Sequence, residues 1–174
     1  MPRFIVLLRA VNVGGTGKLP MADLRRSLTD AGYSNVSTLL ASGNVVLDAA
    51  QRSTASLEKK LEAHLAERHG LATDVIVRTP AEWRSLIDAN PMPGETKAAP
   101  SCFYAMVMKT SPDAGAADYL DAYPGPERTV LADRIAYMHF PDGMGRSKFN
   151  PDRLGLGTSR NWNTVTKLAE AAGA

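Results

Sequence analysis

Three segments of this chain gather side chains and backbone groups suited to holding an anion. The first is the loop Arg9-Ala10-Val11-Asn12-Val13-Gly14-Gly15-Thr16-Gly17-Lys18-Leu19-Pro20. Glycines there can turn successive backbone N–H groups toward one point, and a helix starting just after adds favourable polarity. Lys18 supplies a point charge. The loop is not a Walker P-loop, because Asn12 stands where the first glycine belongs and Leu19 stands where Ser or Thr should follow the lysine. Nor is it a dinucleotide fingerprint, since Pro20 holds the last glycine position. The bland alternative is a strand-to-helix loop that needs glycine for its dihedral angles alone.

The second segment is Ala41-Ser42-Gly43-Asn44, where Ser42 offers a hydroxyl and Asn44 an amide; a plain hairpin turn explains it better. The third is Gly145-Arg146-Ser147-Lys148, a bidentate fork and a point charge two residues apart beside a flexible glycine. Arg160 and Asn163, in the donor-rich run Thr158 to Thr164, complete the set. Trp162 in that run reads as core or as a ring to stack on a base. The expectation is one polar cleft, with Asn12, Gly14, Gly15 and Lys18 on one wall, Ser42 and Asn44 nearby, and Arg146, Lys148, Arg160 and Asn163 opposite.

Charge follows the same segments. The net charge of the 174-residue chain is only +2, yet residues 1–26 carry five basic groups against Asp23, and residues 142–167 carry five against Asp142 and Asp152. A field of that size favours a phosphate-bearing small molecule over nucleic acid, whose binding rests on many phosphate contacts. No Gly-x-Ser-x-Gly elbow is present. His64, His69 and His139 are scattered without metal-ligand spacing, and His64 and His69 are expected on the exposed side of a helix. No metal is expected, and no cofactor or catalytic residue can be named. Two other function classes remain: a small enzyme in which Lys18 and Arg146 steady negative charge on a phosphorylated or carboxylated substrate, and a homo-oligomeric interaction module. The oligomeric state is open.

The elements that would position these groups follow from periodicity. Apolar residues make up 44% and charged residues 22%, the composition of a globular domain. No run is long enough to span a membrane, and no leader pattern opens the chain, so a cytoplasmic protein is expected. The lone Cys102 is expected to be a buried structural thiol. Residues 3–11 read as a buried strand. Leu24, Leu28 and Ala31 mark a helix ended by Gly32. Residues 36–40 and 44–48 form a hairpin. Leu57, Leu61 and Leu65 mark a second helix, and residues 74–78 a strand. This βαββαβ order is the split ferredoxin-like pattern.

Thr79-Pro80-Ala81-Glu82 is a capping box that opens another helix. Residues 91–100, rich in proline, read as a linker. Beyond it come a strand at 102–109, a helix at 111–122, paired strands at 128–131 and 134–140, a short helix at 150–154 and a final helix at 161–172. The fold class is therefore α+β: two ferredoxin-like βαββα halves with antiparallel sheets, residues 1–90 and 101–174, forming one compact unit.

Several of these segments also carry a family resemblance. Leu7 to Gly15, Lys18 to Met21, Leu40 to Val46, Gly145 to Lys148 and Arg160 to Val165 occur in the order of the domain of unknown function family 1697. The chain resembles that family along nearly its whole length. Its pattern more often has Gly at Ala10, Ile at Val11 and Gln near Ala41. The resemblance implies an α+β fold of ferredoxin-like halves and brings no activity, substrate or catalytic residue.

Overall fold

A computed structural model describes residues 1–15 and 17–174; Thr16 of the first loop lies outside the described residues. The chain divides into two compact units, Met1–Ser85 with Leu168–Ala174, and Leu86–Lys167.

Unit 1 begins with β1 (Arg3–Leu8), α1 (Met21–Asp30), β2 (Ser34–Leu39), β3 (Asn44–Asp48), α2 (Thr54–His69) and β4 (Val75–Arg78). The sheet is antiparallel in the order β2-β3-β1-β4, the ferredoxin-like arrangement. On one face Phe4, Val6, Leu8, Val45, Leu47, Val75 and Val77 pack with Leu24 and Leu28 of α1 and Leu57, Leu61 and Leu65 of α2. The residues between them, Ile5, Leu7, Val46 and Ile76, are buried too. That is why β1 reads as a continuous apolar run rather than an alternation. β4 is an edge strand, and α2 covers its free donors: Glu62 accepts from Val75 N at 2.9 Å and buried Glu58 from Val77 N at 2.9 Å.

α3 (Pro80–Asp88) follows β4 directly. Its capping box forms as expected, with Thr79 N donating to Glu82 Oε2 at 2.8 Å and Glu82 N to Thr79 Oγ1 at 3.2 Å. Residues 91–100 are not bare chain. They contain α4 (Pro93–Ala98), stabilised by Pro93 at its first position. The divisions between the units fall inside α3 and inside the last helix (Trp162–Ala172).

Unit 2 contains β5 (Phe103–Met108), α5 (Ala116–Ala122), β6 (Arg128–Ala132), β7 (Ile135–His139), β8 (Gly157–Asn161) and the start of α6 (Trp162–Ala172). The sheet order is β6-β7-β5-β8, the same arrangement as unit 1. β8 is a departure from the sequence reading, which left 157–161 outside any strand. Its residues Gly-Thr-Ser-Arg-Asn lack an apolar run, and the strand exists because it completes the ladder with β5 from Met108–Gly157 to Tyr104–Asn161. Cys102 is also a correction: it sits half-buried in a 3-10 turn (Pro100–Cys102), not in the strand. The helix expected from residue 111 starts only at Ala116. Among the described residues no helix is long and apolar enough to cross a membrane.

Candidate functional site

In unit 1 the expected residues of the first two segments meet at one end of the sheet, where β1 stops. Leu8 N donates to Gly43 O at 2.8 Å, which ties the end of β1 to the β2–β3 turn. Gly43 has φ 82° and no room for a side chain, because an added Cβ would lie 2.8 Å from Leu8 Cβ. Beyond β1 the chain turns sharply, with positive φ at Ala10, Asn12, Gly14, Gly15 and Gly17.

Asn12 holds this loop in place. Its Nδ2 donates to Leu19 O at 2.9 Å and to Ala41 O at 2.7 Å, while its Oδ1 accepts from Leu19 N at 2.7 Å. Asn12 N also donates to Gly17 O at 3.0 Å. The amide expected to face a ligand is thus engaged by the backbone, and it clamps the loop to the hairpin turn. Asn44 plays a similar part. It is fully buried, and its Nδ2 donates to Leu39 O at 2.8 Å and to Ser42 Oγ at 3.0 Å. What the clamp leaves exposed is Gly14, Gly15 and Lys18. Lys18 has no hydrogen-bond or ion-pair partner among the described residues. Val13 and Leu40 project from the same end, 58% and 57% exposed.

The unit 2 residues occupy a different place in their own sheet. Phe140 N donates to Cys102 O at 2.8 Å, so the segment from Pro141 leaves at the end where β5 begins. Arg146 ends a 3-10 turn (Met144–Arg146), and it and Lys148 are exposed. Ser147 between them is turned inward, donating to Glu127 Oε1. Arg160 lies near the same end but inside the unit, 7% exposed on β8. Its Nη1 donates to Thr158 Oγ1 at 2.7 Å and Ser159 O at 2.9 Å, and burial draws its pKa down to about 10. Asn161, not Asn163, caps α6, accepting from Thr164 N at 3.0 Å; Asn163 is exposed on the first turn. Trp162 is core.

The structure also gathers a cluster that the sequence reading missed. His64 and His69 are not on an exposed helix side: both are half-buried and reach Ser27 of α1. His69 Nε2 lies 2.7 Å and His64 Nε2 3.0 Å from Ser27 Oγ. Burial pushes the His64 pKa down, and the nearby His69 and Arg68 add to the effect. A signal existed in the sequence: Ser27 shares the Leu24–Leu28 stripe of α1, a polar residue at a helix position that meets the next helix.

The comparisons with known proteins agree with this fold. None of the curated proteins matches the chain. Among solved structures it is similar to the conserved bacterial protein SP0830 from Streptococcus pneumoniae, with a TM-score of 0.79 and 20% identity, covering 100% of this chain and 99% of that one. At that identity the likeness speaks for the fold alone. The family model described as "Protein of unknown function (DUF1697)" matches residues 1–137, and the chain therefore belongs to the DUF1697 family.

Proposed function

We propose that unit 1 binds a phosphate-bearing small molecule at the end of its sheet where β1 stops. The observation that carries this reading is the Asn12 clamp. Its three side-chain hydrogen bonds lock the glycine loop onto Leu19 and Ala41. A loop fixed in advance spends little binding energy on ordering. Its exposed glycines present backbone N–H groups, and among the described residues no group pairs with the Lys18 charge. α1 starts at Met21, three residues after Lys18, and its first-turn N–H groups favour an anion.

Burial of the sheets favours a small ligand over nucleic acid. RNA readers of related architecture stack bases on an open sheet face. Here β1, β3 and β4 are buried along both faces apart from Arg3, and β5 nearly so. The exposed pair Arg146 and Lys148 in unit 2 is a separate source of cationic charge.

A thermal-shift panel of inorganic phosphate, pyrophosphate and nucleoside mono-, di- and triphosphates tests the reading. A ligand at a hundred times its Kd adds about 2.7 kcal/mol of stability. The expected result is a rise in Tm with at least one phosphate compound, abolished by Lys18→Ala. No shift across the panel, or a shift indifferent to Lys18, overturns the proposal.

A further inference from the structure

Among the described residues four large apolar side chains are exposed: Met1, Val13, Leu40 and Val130. Met1 is the first residue, and Val130 lies on the edge strand β6. Val13 and Leu40, each more than half exposed, stand at the end of β1 beside the loop that carries Gly14, Gly15 and Lys18. We propose that the phosphate-bearing ligand of unit 1 is a nucleoside phosphate, with Val13 and Leu40 as an apolar platform for its base. This inference rests on the phosphate site proposed above and names what else the ligand carries.

The Asn12 clamp sets the two side chains near each other. Asn12 Nδ2 donates to Ala41 O at 2.7 Å, and Val13 follows Asn12 while Leu40 precedes Ala41. Lys18 is held by the same residue. Asn12 N donates to Gly17 O at 3.0 Å, and the Asn12 side chain engages both backbone polar groups of Leu19. Charge and apolar surface are thus fixed to one clamp, and binding need not order them.

Leu40 is the more telling of the pair. Its φ is 60°. In that left-handed region a Cβ crowds the following carbonyl, a cost that glycine avoids and asparagine tolerates. A leucine that is more than half exposed recovers little of that cost through burial. Backbone strain of this kind gathers at ligand clamps and switch regions.

The chemistry around the pair selects a base over a lipid. Every base offers a flat face to pack against, and contact with a face tolerates different bases. Membrane docking takes a cluster of about 4–8 basic residues or a long amphipathic helix. Residues 12–20 carry one basic group, Lys18. Covering what remains exposed of the two side chains is worth about tenfold in Kd.

Isothermal titration of the full chain with ATP, CTP and inorganic triphosphate tests the platform, because all three carry the same phosphate chain. At least one nucleotide should bind about tenfold tighter than inorganic triphosphate. Leu40→Asn and Val13→Thr should each lower that ratio, and the double variant should bring it close to one. Leu40→Asn should leave Tm equal or raise it by about 2–4 °C, because asparagine tolerates the left-handed backbone. Equal Kd values for the three ligands in the wild type, or a ratio that survives in the double variant, overturn the platform and leave the phosphate site standing. Failure of all three to bind overturns both. A fall in Tm of more than about 4 °C in Leu40→Asn would make Leu40 a packing residue and overturn its role. Phosphatidylserine vesicles that co-sediment with the wild type but not with the double variant would assign the pair to a lipid surface and overturn the nucleoside reading.

Discussion

In unit 1 the sheet lies under two helices; in unit 2 the same sheet lies under one short helix and a coil. The sheets agree strand for strand. Ile5, Val6, Leu7 and Leu8 face Arg78, Val77, Ile76 and Val75, while Ala105, Met106, Val107 and Met108 face Arg160, Ser159, Thr158 and Gly157. Even the buried arginines correspond, since Arg78 Nη1 donates to Val77 O and Arg160 Nη1 to Ser159 O. A capped helix follows each fourth strand, with Thr79 and Asn161 in equivalent places.

The covers differ in chemistry. α2 brings a leucine stripe to unit 1. Where unit 2 has no such helix, aromatic rings fill the space. Phe149 packs edge-on against Tyr123 at 5.0 Å and against Phe140 at 6.0 Å, and lies tilted 5.3 Å from Tyr119. Large rings bury much area per residue, so a coil can cover a sheet if it carries enough of them. The strand order survives the exchange because ladder hydrogen bonds define it, whereas the cover need only exclude water. The long loop 9–20 belongs to unit 1, while the corresponding connection in unit 2, residues 109–115, is shorter and has no glycine cluster.

Phe149→Ala should have the largest effect, about 3–5 kcal/mol by chemical denaturation. A loss below about 1 kcal/mol would show that the aromatic cover is not what supports the unit 2 sheet. Gly43→Ala comes next, at about 2–3 kcal/mol, because it adds a clash with Leu8 to a left-handed backbone. Its counterpart is Arg134, whose carbonyl accepts from Met108 N as Gly43 O does from Leu8 N. Arg134→Ala should cost less than about 1 kcal/mol, and equal losses at the two sites would break the comparison.

Asn12→Ala removes three side-chain hydrogen bonds and should cost about 2 kcal/mol. Hydrogen exchange should then rise in residues 9–20 while 109–115 stay unchanged; uniform exchange would contradict a local clamp. The smallest effect is a pH dependence. Because the folded-state pKa of His64 lies below its unfolded value of about 6.5, unfolded chains bind the proton more readily. That share of stability is present above pH 6.5 and is lost as pH falls through the folded value. Denaturation midpoints against pH should therefore fall less steeply in His64→Gln than in the wild type, and identical slopes would reject the assignment.

Local chemistry made much of this molecule legible in the sequence. The leucine spacing of α1 and α2, the capping box at Thr79 and the continuous apolar run of β1 are properties of short windows, set by side-chain periodicity and backbone propensity. The glycine loop was visible for the same reason. β8 was not, because Gly-Thr-Ser-Arg-Asn becomes a strand only when β5 offers it an edge. Nor could the sequence show that Asn12 and Asn44 spend their amides on the backbone, or that Arg160 is interior. Those facts, like the meeting of His64 and His69 at Ser27, depend on which distant carbonyls, hydroxyls and rings packing brings within about 3 Å. Hydrogen bonds act only over that range, so the tertiary structure alone decides them.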